Sequence, residues 1–199
     1  MTAVRIHLIR HAQSAWQLAP GSDLDTSLTP VGREQARLLA SWLATDAYPE
    51  VQVSVLLTSP LLRAVETTGH LAQALSLTPV TLESLREAPF HVADELPVLD
   101  EQGGVPPDYL PSARYVAFRE QARWALDALR ELGESGNGSP LAVTHGGLIK
   151  TLLRVAAGTD AFCFRLCNVG VNTIEWRRGR WHLVHLNWCD HLAPALRTW

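Results

Sequence analysis

The stretch Val4–Trp16, VRIHLIRHAQSAW, decides how this chain is interpreted. Its β-branched, apolar run up to Ile9 is typical of a short strand that is buried on both faces of a parallel sheet. The sequence then turns polar at Arg10 and His11. Because ligands of open α/β sheets lie beyond the carboxyl ends of the strands, this pair is expected to face a ligand. A guanidinium binds phosphate or carboxylate oxygens and a neutral imidazole offers a nucleophilic nitrogen, so the pair indicates anion chemistry.

Composition indicates one globular domain over residues 1–199. The chain is 47% hydrophobic and 19% charged, which suits a domain that buries roughly 70% of its unfolded surface. The net charge of −3 provides no basic field, so we predict neither nucleic acid nor a membrane as a partner. Three cysteines are too few for a disulfide framework, and the N-terminal apolar run is too short for a signal peptide or a membrane span. We therefore expect a cytoplasmic protein.

Apolar strands alternate with amphipathic helices along the chain. This order predicts an α/β fold, a three-layer αβα sandwich with a mostly parallel central sheet and a C-terminal hairpin. Helices are predicted to begin at Thr29-Pro30, Ser59-Pro60, Ser112 and Leu148, the first of them reaching about Thr45. The predicted strands after the first are Val51–Thr58, Val80–Leu85, Leu141–Thr144, Val171–Trp176 and Trp181–Leu186.

A proline- and glycine-rich segment, residues 88–111, interrupts this alternation and is predicted to be an irregular lid insertion. It contains no lysine or arginine and carries five acidic residues. Such a lid would repel a second anionic group of a substrate, unless Arg114, Arg119 and Arg123 on the next helix face the cleft. Its apolar and aromatic residues are predicted to select the organic part of the substrate; they are Phe90, Val92, Leu96 and Tyr109.

Charged or imidazole side chains follow four of the predicted strands. The carboxyl ends of parallel strands lie along one edge of a sheet, so these side chains are expected to converge on one cleft. Two arginines and two histidines around one point favour a phosphoryl group, and a nearby carboxylic acid could protonate a departing oxygen. The residues concerned are Arg10, His11, Arg63, Glu87 and His145.

Several ordered motifs resemble the histidine phosphatase superfamily, also called the phosphoglycerate mutase-like family, over nearly the whole chain. The opening LIRHAQSAWQ, Leu8–Gln17, is similar to that family's Arg-His-Gly-Glu-Thr/Ser-x-Trp-Asn signature, with Ala12, Gln13 and Gln17 as departures. Further matches are Leu28-Thr29, Gly32, Gln35-Ala36, Thr58-Ser59-Pro60, Leu62-Arg63-Ala64, Thr67, Val143-Thr144-His145-Gly146-Gly147 and Asn172-Thr173.

The resemblance implies a role for each of these site residues. His11 would attack phosphorus to give a phosphohistidine, and Glu87 would protonate the leaving group and then activate water. The family's Gly-x-x-Glu-Gly run is missing around Glu87, so Asp94 and Glu95 are reserve candidates for the acid. The side chains implied to bind the phosphoryl oxygens are those of Arg10, Ser14, Gln17, Arg63 and His145.

The leading functional hypothesis is a phosphomonoester hydrolase of the histidine acid phosphatase type that acts on a small phosphorylated metabolite. It would need neither a cofactor nor a metal ion. The alternatives are phosphoryl transfer of the phosphoglycerate mutase type, a phosphoprotein (phosphohistidine) phosphatase, and a non-catalytic binder of phosphorylated ligands. A homodimer is a further expectation.

Overall fold

The computed structural model describes residues 3–19, 25–45, 52–136 and 138–199. Its strands are β1 (Val4–Arg10), β2 (Val53–Thr58), β3 (Val80–Thr81), β4 (Ser139–Thr144), β5 (Val171–Arg177) and β6 (Arg180–Trp188). Its α-helices are α1 (Ala15–Leu18), α2 (Pro30–Leu43), α3 (Leu62–Leu75), α4 (Ala113–Ser135) and α5 (Gly146–Ala157). Short 3₁₀ turns cover Glu83–Leu85, Val92–Glu95 and Pro194–Leu196.

The six strands form one sheet in the order β3-β2-β4-β1-β5-β6. β1, β2, β3 and β4 run parallel to one another, whereas β5 pairs antiparallel with both β1 and β6. The predicted α/β class, the mostly parallel sheet and the C-terminal hairpin are therefore confirmed. Because β1, β2 and β4 run in the same direction, their carboxyl ends meet at one edge of the sheet.

Helices cover both faces of the sheet, which explains why its central strands are almost continuously apolar. One apolar cluster joins β1 residues such as Ile6 and Leu8 to α4 and α5. A second cluster joins Ile9 to α2 and α3 on the opposite face. Side chains of a strand point alternately to its two faces, so a strand between two helical layers must be apolar on both.

Local capping signals place α2 and α4 where the sequence predicts them, whereas α3 begins at Leu62 rather than at Ser59-Pro60 and α5 begins at Gly146 rather than at Leu148, both without a side-chain cap. The Thr29 hydroxyl accepts a hydrogen bond from the Gly32 N–H at 2.9 Å, and Pro30 occupies the first helical position of α2. The Ser112 hydroxyl caps α4 in the same way, accepting from the Tyr115 N–H. The predicted strand that begins at Val51 is observed from Val53 onward, and Val51 itself lies outside the described residues.

The predicted strand Val80–Leu85 is wrong beyond Thr81. Leu82 extends the ladder by one bond to the carbonyl oxygen of Thr58, and Glu83–Leu85 then turn as a 3₁₀ helix. Leu85 does not continue the strand. Its side chain packs in the apolar cluster that contains α4, and its carbonyl accepts a hydrogen bond from the Thr144 hydroxyl at 2.6 Å. This turn carries the following segment, including Glu87, back toward the end of β4.

The segment 88–111 is irregular apart from the turn at Val92–Glu95. Its apolar side chains pack onto the domain: Val92 is buried in the core, and the Phe90 ring lies edge-on to Phe118 with centroids 5.9 Å apart. These contacts, rather than a substrate, account for the apolar character of these two positions. Whether the segment acts as a lid stays a prediction.

Candidate active site

Arg10 and His11 leave β1 beside the end of β4, and a backbone contact joins the two ends. The His11 N–H donates to the Thr144 carbonyl at 2.8 Å, and the next residue along β4 is His145. The rings of His11 and His145 lie with their centroids 5.1 Å apart. The structure therefore brings the two predicted histidines together at one edge of the sheet.

The imidazole of His11 is held in the tautomer that leaves a lone pair on Nε2. Its Nδ1 lies 2.7 Å from the Ala12 carbonyl oxygen, which can only accept, so Nδ1 carries the proton. Arg63 donates from Nε to Nε2 at 3.1 Å. Burial, followed by the nearby charges of Arg10 and Arg63, lowers the pKa of His11 well below its usual value. A buried, neutral imidazole with one tautomer selected is suited to nucleophilic attack from Nε2.

Two guanidinium groups flank His11. Arg63 lies in the first turn of α3 and is 8% exposed. Arg10 donates from Nη1 to the Leu166 carbonyl at 2.6 Å, while its buried Nε has no hydrogen-bond partner among the described residues. A buried guanidinium N–H that is not used by the protein is available to an anion.

His145 is fixed through Ser59, the residue that follows β2. His145 Nε2 lies 2.7 Å from Ser59 Oγ, and that oxygen also accepts from the Leu61 N–H. When the Ser59 hydroxyl donates to Nε2, the proton of the ring stays on Nδ1. The Nδ1 atom is buried and has no partner within the described parts of the chain, so this N–H can bind a phosphoryl oxygen. Burial, His11 and Arg63 lower the pKa of His145 well below its usual value.

The carboxyl group of Glu87 lies against the first turn of α5. Oε2 accepts from the Gly147 N–H at 2.9 Å and Oε1 accepts from the Ala88 N–H at 3.1 Å. Both hydrogen bonds favour the carboxylate, and so do Arg63 and Arg10, but removal from water outweighs them and raises the pKa of Glu87. A carboxylic acid that keeps its proton at higher pH than usual is suited to protonating a leaving group.

Ser14 and Gln17 lie beside this cluster and differ in whether their side chains already have hydrogen-bond partners. The Ser14 hydroxyl is buried and has no hydrogen-bond partner in the described residues, so it is available to an anion. The Gln17 amide instead donates to Asn168 Oδ1 at 3.0 Å and to the Trp199 carbonyl at 3.2 Å, and its oxygen accepts from the Ser14 N–H. These hydrogen bonds would have to break before Gln17 could contact a phosphoryl group. Phosphate binding by Gln17 stays a prediction.

The segment from Leu166 to Val169 supports the Arg10–His11 pair and was not predicted. The Asn168 amide donates to the His11 carbonyl at 2.8 Å, and the Val169 N–H donates to the Arg10 carbonyl at 2.9 Å. Val169 has a positive φ of 51°, which is rare for a β-branched residue. No local pattern in the sequence marks Asn168, because its importance comes only from the distant residues that it contacts.

The two reserve acids are placed differently from Glu87. Glu95 is hydrogen-bonded to the Ser112 hydroxyl and to Arg114, and these contacts lower the pKa of its carboxyl group. An acid held in its ionised form by an arginine is a poor proton donor. Asp94 is exposed on the same turn. Of the three carboxyl groups, Glu87 is therefore the best suited to act as the acid.

Within the described residues, no group of three or more histidine, cysteine or acidic side chains is arranged to hold a metal ion. None of the helices in those ranges combines the length and the apolar character that a membrane span requires.

Substitution of Gly147 by alanine is expected to lower kcat for an alkyl phosphate by about 10²-fold. A Cβ at this position would lie 2.5 Å from Glu87 Oε1, so the carboxyl group must shift from its observed position. Steady-state kinetics would measure the effect. Gly69→Ala is the matched control, because a Cβ there meets nothing within 4 Å. Wild-type kcat in Gly147→Ala would contradict the placement of Glu87 as the acid.

Comparisons with known proteins agree with this geometry. A family profile described as the histidine phosphatase superfamily (branch 1) matches residues 6–189. The "uncharacterized phosphatase PhoE" of Bacillus subtilis (strain 168) is 26% identical over 202 residues, covering 99% of this chain and 100% of that protein. The "probable phosphoglycerate mutase GpmB" of Yersinia enterocolitica is 26% identical over 195 residues, covering 89% of this chain and 87% of that protein.

Solved structures share the fold. A phosphoserine phosphatase from Entamoeba histolytica, crystallised with 3-phosphoglyceric acid, superimposes with a TM-score of 0.70 at 23% identity, covering 96% of this chain and 100% of that one. A phosphoglycerate mutase from Bacillus anthracis superimposes with a TM-score of 0.73 at 18% identity, covering 96% and 95%. The profile match spans most of the chain and includes all five residues that were predicted to meet at the strand ends. This chain therefore belongs to the histidine phosphatase superfamily, branch 1.

Proposed function

We propose that this chain hydrolyses phosphomonoesters of small metabolites through a phosphohistidine formed on His11. The observation that carries the proposal is the state of His11: its proton is held on Nδ1 by the Ala12 carbonyl, and its Nε2 lies 3.1 Å from the Nε of Arg63. A lone pair on Nε2 and a cationic donor at the same point are what attack on a phosphoryl group requires.

The first step transfers the phosphoryl group to the enzyme. Arg63 turns its Nε–H from His11 to a phosphoryl oxygen, and Nε2 forms a bond to phosphorus as the bond from phosphorus to the ester oxygen breaks. Glu87 gives its proton to the departing oxygen, so the product leaves as a neutral alcohol. Arg10, Arg63 and His145 hold the non-bridging oxygens, on which negative charge is spread in the transition state.

The second step returns the enzyme to its starting state. Glu87, now a carboxylate, takes a proton from a water molecule whose oxygen attacks phosphorus. The bond between Nε2 and phosphorus breaks, and inorganic phosphate leaves. Glu87 regains its proton and His11 regains its lone pair, so no cofactor is consumed.

Charge placement favours hydrolysis over mutase chemistry with a bisphosphorylated substrate. The three arginines that could have added positive charge from α4 are each paired with an acid: Arg114 with Glu95, Arg119 with Asp160 and Arg123 with Glu120. Each of these arginines therefore already has an anionic partner, which weakens the attraction that it offers to a second phosphate. The expected homodimer and cytoplasmic location stay predictions.

The proposal is tested with a panel of phosphate monoesters in EDTA, using p-nitrophenyl phosphate, ethyl phosphate and 3-phosphoglycerate. We expect inorganic phosphate and alcohol to appear in equal amounts, because water is the final acceptor and no metal ion takes part. Formation of 2-phosphoglycerate from 3-phosphoglycerate without phosphate release would instead establish a mutase. Loss of all turnover in EDTA, restored by a divalent cation, would contradict the proposed mechanism.

A further inference from the structure

Gln35 on α2 is fully buried and lies outside the group of side chains that surrounds the phosphoryl site. Its oxygen accepts from the Gln13 N–H at 2.9 Å, and its amide nitrogen donates to the Leu196 carbonyl at 2.7 Å and to Thr198 Oγ1 at 2.8 Å. A glutamine amide has two N–H donors, and both are used here. The amide is therefore held in one orientation, with its oxygen toward the loop that follows His11.

The hydrogen bond from Gln13 to Gln35 decides where the Ala12 carbonyl points. The peptide group between Ala12 and Gln13 is planar and trans, so its N–H and its C=O point in opposite directions. The N–H points to Gln35, and the C=O lies 2.7 Å from Nδ1 of His11. The first turn of α2 packs closely on this loop, since a Cβ at Gly32 would lie 2.0 Å from the Gln13 carbonyl oxygen. By holding one side of the peptide group, Gln35 presents the other side to the imidazole.

The preceding peptide group, between His11 and Ala12, is held from both sides by other residues. The His11 carbonyl accepts from the Asn168 amide at 2.8 Å, and the Ala12 N–H donates to Thr67 Oγ1 on α3 at 3.0 Å. These two bonds fix the backbone of His11 but do not reach the Ala12 carbonyl. The direction of that carbonyl depends on the next peptide group, and hence on Gln35.

We propose that Gln35 is a positioning residue for the nucleophile, because it holds the Ala12 carbonyl against Nδ1 of His11 and so aims Nε2 at phosphorus. The proposal rests on the proposed function, since the aim of Nε2 matters to the rate only if His11 attacks a phosphoryl group. Gln35 acts without touching the substrate, through a single peptide group. Without this contact the imidazole can turn, and a displacement of about 1 Å at a reacting atom costs on the order of 10²-fold in rate.

Two replacements of Gln35 separate its contact with the loop from its contacts with residues 196 and 198. Gln35→Met removes the acceptor and both donors, and is expected to lower kcat for p-nitrophenyl phosphate by roughly 10- to 100-fold. KM should stay within about threefold of the wild-type value, because the groups that bind phosphate are unchanged. Gln35→Glu keeps an oxygen that accepts from the Gln13 N–H and should lose less of kcat than Gln35→Met.

Equal losses of kcat in the two variants would overturn the proposal, because the role of Gln35 would then lie in its contacts with Leu196 and Thr198. Thr68→Val is the control for stability: the buried Thr68 hydroxyl donates only within α3, to the Ala64 carbonyl at 2.7 Å. It should keep the wild-type kcat. A loss of kcat in Thr68→Val equal to that in Gln35→Met, at an equal decrease in Tm, would assign the effect to stability and overturn the proposal.

NMR of ¹⁵N-labelled histidine tests the contact without turnover. The His11 signals are identified by their loss in His11→Ala, and the shifts of the two ring nitrogens report which of them carries the proton. Arg63, which donates to Nε2 at 3.1 Å, favours the same tautomer. The measurement that isolates Gln35 is therefore the exchange of the Nδ1 proton with water, which should be faster in Gln35→Met than in the wild-type protein.

The NMR result and the activity result fail separately. A proton on Nε2 of His11 in the wild-type protein, or an exchange rate that Gln35→Met leaves unchanged, would overturn the role of Gln35. Faster exchange in Gln35→Met, in a protein that hydrolyses no phosphate ester, would support the contact and refute the proposed function.

Discussion

Replacement of His11 by alanine is expected to lower kcat for every phosphomonoester by ~10⁴-fold or more, since the chemical step then lacks its nucleophile. His145 cannot take over, because its Nε2 is engaged with Ser59 at 2.7 Å and its ring centroid lies 5.1 Å from that of His11. Release of p-nitrophenol from p-nitrophenyl phosphate in EDTA measures the effect over this range. Wild-type enzyme quenched in alkaline denaturant, in which phosphohistidine is stable, should also carry phosphate on His11, and the variant should carry none.

A matched histidine variant shows whether the loss is specific. His182 lies on β6, which β5 separates from β1, so His182→Ala should keep the wild-type rate. Thermal unfolding of both variants reports whether either has lost its fold. Turnover of His11→Ala within tenfold of the wild-type rate would remove His11 from the role of nucleophile.

Replacement of Glu87 by glutamine is expected to lower the steady-state rate on alkyl phosphates by ~10²–10⁴-fold, the usual contribution of a general acid. An alkoxide leaves poorly without a proton, whereas p-nitrophenolate leaves without one. With p-nitrophenyl phosphate, the variant should therefore form its phosphohistidine quickly and hydrolyse it slowly. Rapid-mixing absorbance should show a burst of one equivalent of p-nitrophenol per active site, followed by a slow steady rate.

The pH dependence of the same variant identifies the acid. Burial raises the pKa of Glu87 above its usual 4.5. Because Glu87 must be protonated in the free enzyme, kcat/KM should fall on the alkaline side of its pH profile, at a pH above 4.5. Burial, Arg10 and Arg63 lower the pKa of His11 below 6.5, and His11 must be neutral, so the acidic limb lies below pH 6.5. Glu87→Gln should lack the alkaline limb attributed to Glu87 on an alkyl phosphate.

The control for Glu87→Gln is Glu83→Gln, since Glu83 is exposed and pairs with Arg86 outside the site. It should keep both limbs and the wild-type rate. An alkaline limb that persists in Glu87→Gln at an unchanged pH would show that another group protonates the leaving oxygen, and exposed Asp94 would be the next residue to replace.

The positions of the two histidines could be predicted because their placement depends on neighbours in the sequence. An apolar strand immediately precedes His11 and another immediately precedes His145, and parallel strands that end together bring such residues to one edge. Arg63 was predictable for the same reason, as a cation in the first turn of a helix that follows β2. The roles of His11 as nucleophile and Glu87 as acid came from the family resemblance and are still to be tested.

The surroundings of these residues could not be predicted in the same way. Gln17 matches a family position that was expected to bind phosphate, yet its amide is already bonded to Asn168 and Trp199. The strand predicted through Leu85 instead turns after Thr81, because Leu85 is held to the hydroxyl of Thr144. In both cases the deciding partner is far away in the chain, so local periodicity carried no information about it.

The sequence by itself determined the α/β class, the order of strands and helices, and which side chains stand at the strand ends, because periodicity and adjacency are local properties. Only the tertiary structure decided the tautomer of His11, the burial that raises the pKa of Glu87 and the support from Asn168. These properties depend on contacts between segments that fold together from distant parts of the chain; Asn168 and His11 are 157 positions apart. Such contacts set the electrostatics on which the chemistry of the site depends.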